Sequence, residues 1–178
     1  MNCMMPHWRV WELSPAPTGI GPRPRRGLFG TACSGSMDGN ALIDTGAILA
    51  LLDRRDRWHA VCKEAFRALR LPLVTSEAVL TELFHLVGDS RTESEAAWKF
   101  VRSGALVMAT IGDAELPQVE ALMAGYWDRP MDFADATLVH LAKRESLATI
   151  FTVDHADFET YRIEGLRRFR ILPAQRPE

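Results

Sequence analysis

The sequence lacks most of what would mark a secreted, membrane-spanning or nucleic-acid-coating protein. It holds three cysteines, Cys3, Cys33 and Cys62, an odd number at irregular spacing, so neither a disulfide framework nor a zinc module is expected. Cys3, His7 and Cys33 lie in a loop-like stretch with no Cys-x-x-Cys pair, and a metal shared among them is not expected. No apolar run reaches the roughly 18 residues of a spanning helix. The N-terminus also lacks the apolar stretch of a secretory signal. A reducing, cytoplasmic setting without membrane contact is therefore expected. Positive charge is not in excess either: 21 Lys and Arg stand against 23 Asp and Glu. That balance argues against an open surface that coats DNA by neutralising phosphates, but not against a nuclease, whose centre is itself acidic.

What is present is a composition of 47% hydrophobic and 25% charged residues over 178 positions. This is enough for one folded domain with a substantial core and an appendage. Residues 1–39 hold five of the ten prolines and six of the twelve glycines and show no sustained period, so they read as a tail or loop. Met37 lies just before the first ordered-looking segment, and translation starting there would account for the extension. Arg23, Pro24, Arg25 and Arg26 form a basic run that reads as a solvated tail. The folded domain is expected over residues 40–175. From residue 41 on there are 17 basic and 21 acidic side chains, a net of −4.

Strands and helices alternate along this domain. Strands are expected at 41–43, 73–74, 105–109, 149–153 and 169–172. Helices are expected from Asp44 to Leu52 and at 58–69, 76–87, 93–102, 114–126 and 133–145, with Thr75 or Ser76 and Asp132 as N-caps and Gly88 as a terminator. This order predicts an α/β fold, a mostly parallel central sheet sandwiched by helices.

The acids carry the chemical signal. Asp44 and Asp154 each follow a short apolar strand, and ligands of open parallel sheets bind outside the carboxyl ends of the strands. Glu82 has Ala78, Val79 and Leu86 among its helical neighbours, and Asp135 stacks with Leu138 and Val139. A carboxylate turned toward a core is costly unless it is paired or binds a metal. Four such acids without matching Lys or Arg suggest a shared cation, and oxygen-only ligands favour Mg²⁺ or Mn²⁺ over zinc. Phosphodiester hydrolysis by a metal-activated water is the chemistry such a centre supports. Each acid also has a plainer reading: Asp44 as a helix cap shared with Thr45, Asp135 as a charge meeting its helix dipole.

At this point the chain resembles the PIN domain, in particular the VapC-type toxin ribonucleases of bacterial toxin–antitoxin pairs. The matching pieces are Leu42-Ile43-Asp44-Thr45-Gly46-Ala47, the stretch 53–60 with Asp56 and His59, Thr81-Glu82-Leu83 within 72–83, Met131-Asp132-Phe133-Ala134-Asp135-Ala136, and Thr152-Val153-Asp154 followed by Asp157-Phe158. They occur in family order over about residues 41–172. The resemblance implies a Mg²⁺- or Mn²⁺-dependent RNA endonuclease with Asp44, Glu82, Asp135 and Asp154 as its acidic quartet. It also implies a homodimer and a small antitoxin partner. Thr45 and Thr152 are candidate hydroxyl neighbours of the quartet. Asp132 and Asp157, each three residues from a quartet acid, are candidate acids beside it or plain caps. The 39-residue extension departs from the family's usual early first strand.

Arg54, Arg55, Arg57 and Arg129 are candidates for an RNA-binding rim, with solvated surface as the alternative. Trp58, Trp98 and Trp127 are expected in the core rather than stacked on bases. His59, His85 and His140 show no ligand-like spacing. Two other functions compete. An aspartyl-phosphate phosphatase would carry a second Asp two positions after the first, where this chain has Gly46. A PIN module that only binds RNA or protein is the non-enzymatic alternative, though all four acids are present.

Overall fold

The computed structural model describes residues 41–177. The basic run at 23–26, Cys3, His7, Cys33 and Met37 lie outside the described residues.

Five strands form one wholly parallel sheet: β1 (Leu42–Ile43), β2 (Leu73–Thr75), β3 (Leu106–Met108), β4 (Thr149–Phe151) and β5 (Arg170–Leu172), in the order β3-β2-β1-β4-β5. Leu42 stands opposite Val74 on one side and Ile150 on the other. The three central strands are buried throughout apart from the half-buried Thr149, as strands covered on both faces must be. The edges are more polar or more exposed: Met108 and Arg170 are open to solvent.

Among the described residues, seven helices flank the sheet: α1 (Thr45–Leu52), α2 (His59–Ala68), α3 (Glu77–Leu86), α4 (Arg91–Val101), α5 (Leu116–Gly125), α6 (Phe133–Arg144) and α7 (His155–Thr160). The expected elements are present, with three adjustments. The stretch 114–126 divides into a short tight turn, Asp113–Glu115, and α5, because Pro117 fits the first turn of a helix but not its interior. Helix α7 was not anticipated. At six residues it is too short to show an apolar period, and its signal is local, Asp154 accepting the Asp157 N–H as a cap. Asp154 also does not follow β4 directly, since Thr152 and Val153 intervene.

Chain order reverses between β1 and β4, so β1 runs outward to β2 and β3 while β4 and β5 extend the other side. Such a switch point leaves a crevice at the strands' carboxyl ends. The strand ends are tied together there: the Asp44 N–H after β1 donates to the Phe151 carbonyl of β4 at 3.0 Å, and the Thr152 N–H after β4 donates to the Leu172 carbonyl of β5 at 2.9 Å. Gly46, in the first turn of α1, makes this approach possible, because a Cβ there would lie 2.6 Å from Val153 Cγ2. Gly46→Ala should therefore lower stability by about 1–3 kcal/mol through overpacking, even though Ala favours helix by about 1 kcal/mol. Thermal melting checks this, and an unchanged or raised midpoint would show that Val153 yields freely.

Helices α3 and α6 are fastened to each other below the crevice. Ser76 caps α3, accepting the Val79 N–H at 3.3 Å. Its hydroxyl also meets that of Thr137 on α6 at 2.8 Å, both residues being buried. Thr137 in turn donates to the Ala134 carbonyl at 2.7 Å. The pair of hydroxyls sets the relative position of the helices that carry Glu82 and Asp135.

Candidate functional site

Asp44 leaves β1 at the switch point and caps α1. Its Oδ1 accepts the Thr45 N–H at 2.6 Å and its Oδ2 accepts the Thr152 hydroxyl at 2.7 Å. The carboxylate is 7% exposed. Burial pushes its pKa up to about 6; the two hydrogen bonds oppose that rise, and the charges of Glu82 and Asp132 add to it. Thr45 reaches the other way, donating through its hydroxyl to Glu82 Oε2 at 2.7 Å. Residue 45 therefore links the acid after β1 to the acid on α3.

Asp135 lies in the first turn of α6, whose cap is Asp132; the Asp135 N–H donates to Asp132 Oδ1 at 2.7 Å. Its pKa is pushed up to about 8, first by burial and then by the charges of Asp44 and Asp132, against a hydrogen bond from Tyr161, with Asp154 adding a further rise. Asp154 is exposed and caps α7, its own N–H donating to the Thr152 hydroxyl at 2.9 Å. Thr152 thus joins Asp44 to Asp154. Asp157 is raised by burial and by Asp154, with Arg129 opposing.

The structure therefore brings Asp44, Glu82, Asp135 and Asp154 into one electrostatic cluster, with Asp132 and Asp157 at its margin. Among the described residues, no salt bridge from Lys, Arg or His reaches any of the four. Nor are three of the described His, Cys, Asp or Glu side chains already gathered as a ligand set for one ion. The charge that partly offsets the acids comes from backbone: the N-terminal turns of α1, α6 and α7 all open here, and helix N-termini favour negative groups.

A 550 Å³ cleft flanks the cluster, lined by residues of α3 and the start of α6 that include Glu82, Asp132 and Phe133. The neighbouring groove along α5 is larger, 830 Å³, but it is apolar, holding Leu116, Met123, Trp127 and Met131 and the single acid Glu120. Of the two, the smaller cleft is the one that borders the acidic cluster, through Glu82 and Asp132.

The four arginines fall in two groups. Arg129 sits at the cluster, its Nε 3.5 Å from Asp157 and its guanidinium bonded to the Thr160 hydroxyl and the Ala156 carbonyl. Arg54, Arg55 and Arg57 follow the far end of α1, roughly 12 Å away at 1.5 Å per residue. Arg55 there pairs with Asp53 at 3.2 Å, and Arg57 lies 6.0 Å from the Trp58 ring. The tryptophans also divide. Trp58 is buried against His155, ring centres 5.2 Å apart. Trp98 is exposed beside Phe84, and Trp127 is 83% exposed, which overturns the core expectation for both: an indole's bulk favours burial but does not place it. His59 and His140 are taken up by the Ala50 carbonyl and by Glu115. Sequence reasoning missed Tyr161, whose hydroxyl donates to Asp135 Oδ2 at 3.1 Å.

A doubly wound parallel sheet with an acidic cluster at its switch point defines the class: an α/β protein with its carboxylates gathered at the carboxyl ends of the strands. The chain belongs to the PIN domain family, whose profile matches residues 41–164. It is similar to Ribonuclease VapC26 of Mycobacterium tuberculosis (strain ATCC 25618 / H37Rv), with 35% identity over 135 residues, 74% of this chain and 99% of that protein. In fold it is similar to the crystal structure of Mycobacterium tuberculosis VapC20, described as a sarcin-ricin loop cleaving toxin. That match has a TM-score of 0.59 at 19% identity, covering 64% of this chain and 89% of that one.

Proposed function

We propose that this protein is a divalent-metal-dependent endoribonuclease, the toxin of a VapBC-type toxin–antitoxin pair, with Asp44, Glu82, Asp135 and Asp154 as its working carboxylates. The observation that carries the reading is the pair Asp44 and Asp135: acids withdrawn from water, raised to about 6 and about 8, and given no cationic side chain among the described residues. Removing charged groups from water is unfavourable unless a counter-charge meets them. An all-oxygen donor set fits Mg²⁺ or Mn²⁺. Similarity to a named ribonuclease over almost its whole length supports RNA as the substrate.

The ion, when bound, would lower the pKa of a water and offset charge on the scissile phosphate. The chain's own residues do the rest. Asp44 is held by two donors and cannot swing away. Glu82 is aimed by the Thr45 hydroxyl. Asp154 is placed by Thr152 and by its cap on α7. The N-terminal turns of α1, α6 and α7, together with Arg129, offer positive potential to the phosphates of the substrate. One carboxylate accepts the proton released by the attacking water. A small antitoxin protein and a second copy of the chain are the proposed partners, and the nuclease domain spans residues 40–175.

Purified protein should cut structured RNA when Mg²⁺ or Mn²⁺ is present and stop when EDTA is added in excess. Cleavage that persists in EDTA overturns the metal-dependent reading, and no cleavage with either ion favours a module that only binds. Mapping of cut sites after brief expression identifies the RNA. Growth unaffected by expression counts against the toxin role even where cleavage stands.

A further inference from the structure

Tyr161 follows the last residue of α7, and three independent contacts fix it. Its ring is fully buried, edge-on to Phe158 at 5.3 Å and to Tyr126 at 5.1 Å between ring centres. Its N–H closes the helix by donating to the Asp157 carbonyl at 3.0 Å. The next N–H, that of Arg162, donates to the Tyr126 hydroxyl at 2.9 Å. Packing alone asks only for an aromatic ring here, and Phe would supply it without a polar atom to satisfy. What Tyr adds is one hydroxyl on a rigid arm, and that hydroxyl donates to Asp135 Oδ2 at 3.1 Å.

Asp135 needs such an arm. Its backbone is set by the Asp132 cap, but that bond leaves the carboxylate free to turn, and the neighbouring negative charges push it away from the cluster. A ligand that must be aimed loses side-chain freedom, and a fixed donor supplies that order in advance. We infer that Tyr161 is a positioning residue: its hydroxyl holds the Asp135 carboxylate in the orientation in which it serves as an ion ligand. The inference rests on the proposed function and adds a residue outside the acidic set. Partners of metal ligands of this kind are typically worth about 10–100-fold in metal affinity.

The test uses the whole chain with Mn²⁺ alone as probe, followed by isothermal titration calorimetry, with melting in EDTA as the measure of fold. Tyr161→Phe keeps the ring and should weaken Mn²⁺ binding about 10–100-fold. The Mn²⁺ concentration for half-maximal RNA cleavage should rise in step while the plateau rate at saturating Mn²⁺ stays within a few-fold. Tyr126→Phe is the control: it removes a hydroxyl that contacts Arg162 and not Asp135, so Mn²⁺ affinity should hold within about twofold, well short of a metal-ligand partner's effect. Should Tyr161→Phe bind Mn²⁺ as tightly as the unaltered protein, changing only the melting midpoint, Tyr161 is structural and the inference fails while the function stands. Unaltered protein that takes up no Mn²⁺ overturns the function, and this inference with it.

Discussion

Asp135→Asn should abolish RNA cleavage yet make the metal-free protein more stable at alkaline pH. Both halves follow from one environment. The Asp135 carboxylate is pushed to about 8 by burial and by Asp44, Asp132 and Asp154, so above that pH the metal-free fold carries a charge that its surroundings oppose. The amide has the same shape and still offers an oxygen to the Tyr161 hydroxyl, but it has no charge to repel. The loss in cleavage should be at least about a hundredfold, since disturbing only the partner of a metal ligand already costs up to about that much. The gain in stability at pH 9 should be on the order of 2–4 kcal/mol, a full conversion at 1.36 kcal/mol per pKa unit being cut for water reaching a half-buried site. Melting in EDTA and a cleavage assay on the same preparation settle both. A variant that still cuts RNA, or that melts lower than the unaltered protein at pH 9, would sink the assignment of Asp135.

Asp44→Asn should lose cleavage too, without the same gain. Both Asp44 oxygens accept, one from the Thr45 N–H and one from the Thr152 hydroxyl. An amide must turn its NH₂ toward one of these donors, and an unmet buried donor costs about 1–3 kcal/mol. The two acids therefore differ in what the fold asks of them. Asp44 is held by two donors as a helix cap, whereas Asp135 has the Tyr161 hydroxyl alone to set against burial and three neighbouring acids.

That difference also explains what could be read before the structure. Asp44 and Asp132 were legible because the cue is local: a short apolar strand running into an acid, or an acid directly ahead of a helical stretch. The parallel sheet was legible because strands and helices alternate with strands too short and too apolar to face water. Tyr161 was not, since nothing in Thr160-Tyr161-Arg162 points to a residue 26 positions earlier; only the tertiary fold brings the end of α7 to the first turn of α6. The arginines show the converse. Arg54, Arg55 and Arg57 are close to Asp44 in sequence, but an intervening helix carries them off, while Arg129 arrives at the cluster from a distant loop. The exposed Trp98 and Trp127 show the limit of reading burial from residue type, because hydrophobic bulk does not say which surface a tertiary fold will cover.

Without a divalent ion, the protein should lose stability as pH rises from about 4 to about 8. Asp44 and Asp135 start from an ordinary value of 3.8 and stand in the fold at about 6 and about 8, so across that range the folded chain holds protons that the unfolded chain has released. Stability contributed by raised acids is complete below the unfolded value and is lost as pH climbs through the folded one. Glu115 works in the opposite direction. Burial raises it, but the Gly112 N–H, His140 and Arg144 outweigh that and hold it down at about 2, so its contribution is present above its ordinary 4.5 and lost toward pH 2. The melting midpoint in EDTA should therefore peak near pH 4 (about where these opposing carboxylate contributions cross) and fall on both sides. The alkaline fall should be about 3 kcal/mol after the same discount for water, or roughly 10 °C for a domain of this size. Mn²⁺ at about 100 times its dissociation constant should restore about 2.7 kcal/mol at pH 8 by binding the folded form alone. Asp135→Asn should blunt both the fall and the rescue, because one side chain supplies much of each. A midpoint that climbs steadily from pH 5 to pH 8 in EDTA would mean that the two buried acids already have their counter-charge within the protein, and the case for an ion at this crevice would lose its physical basis.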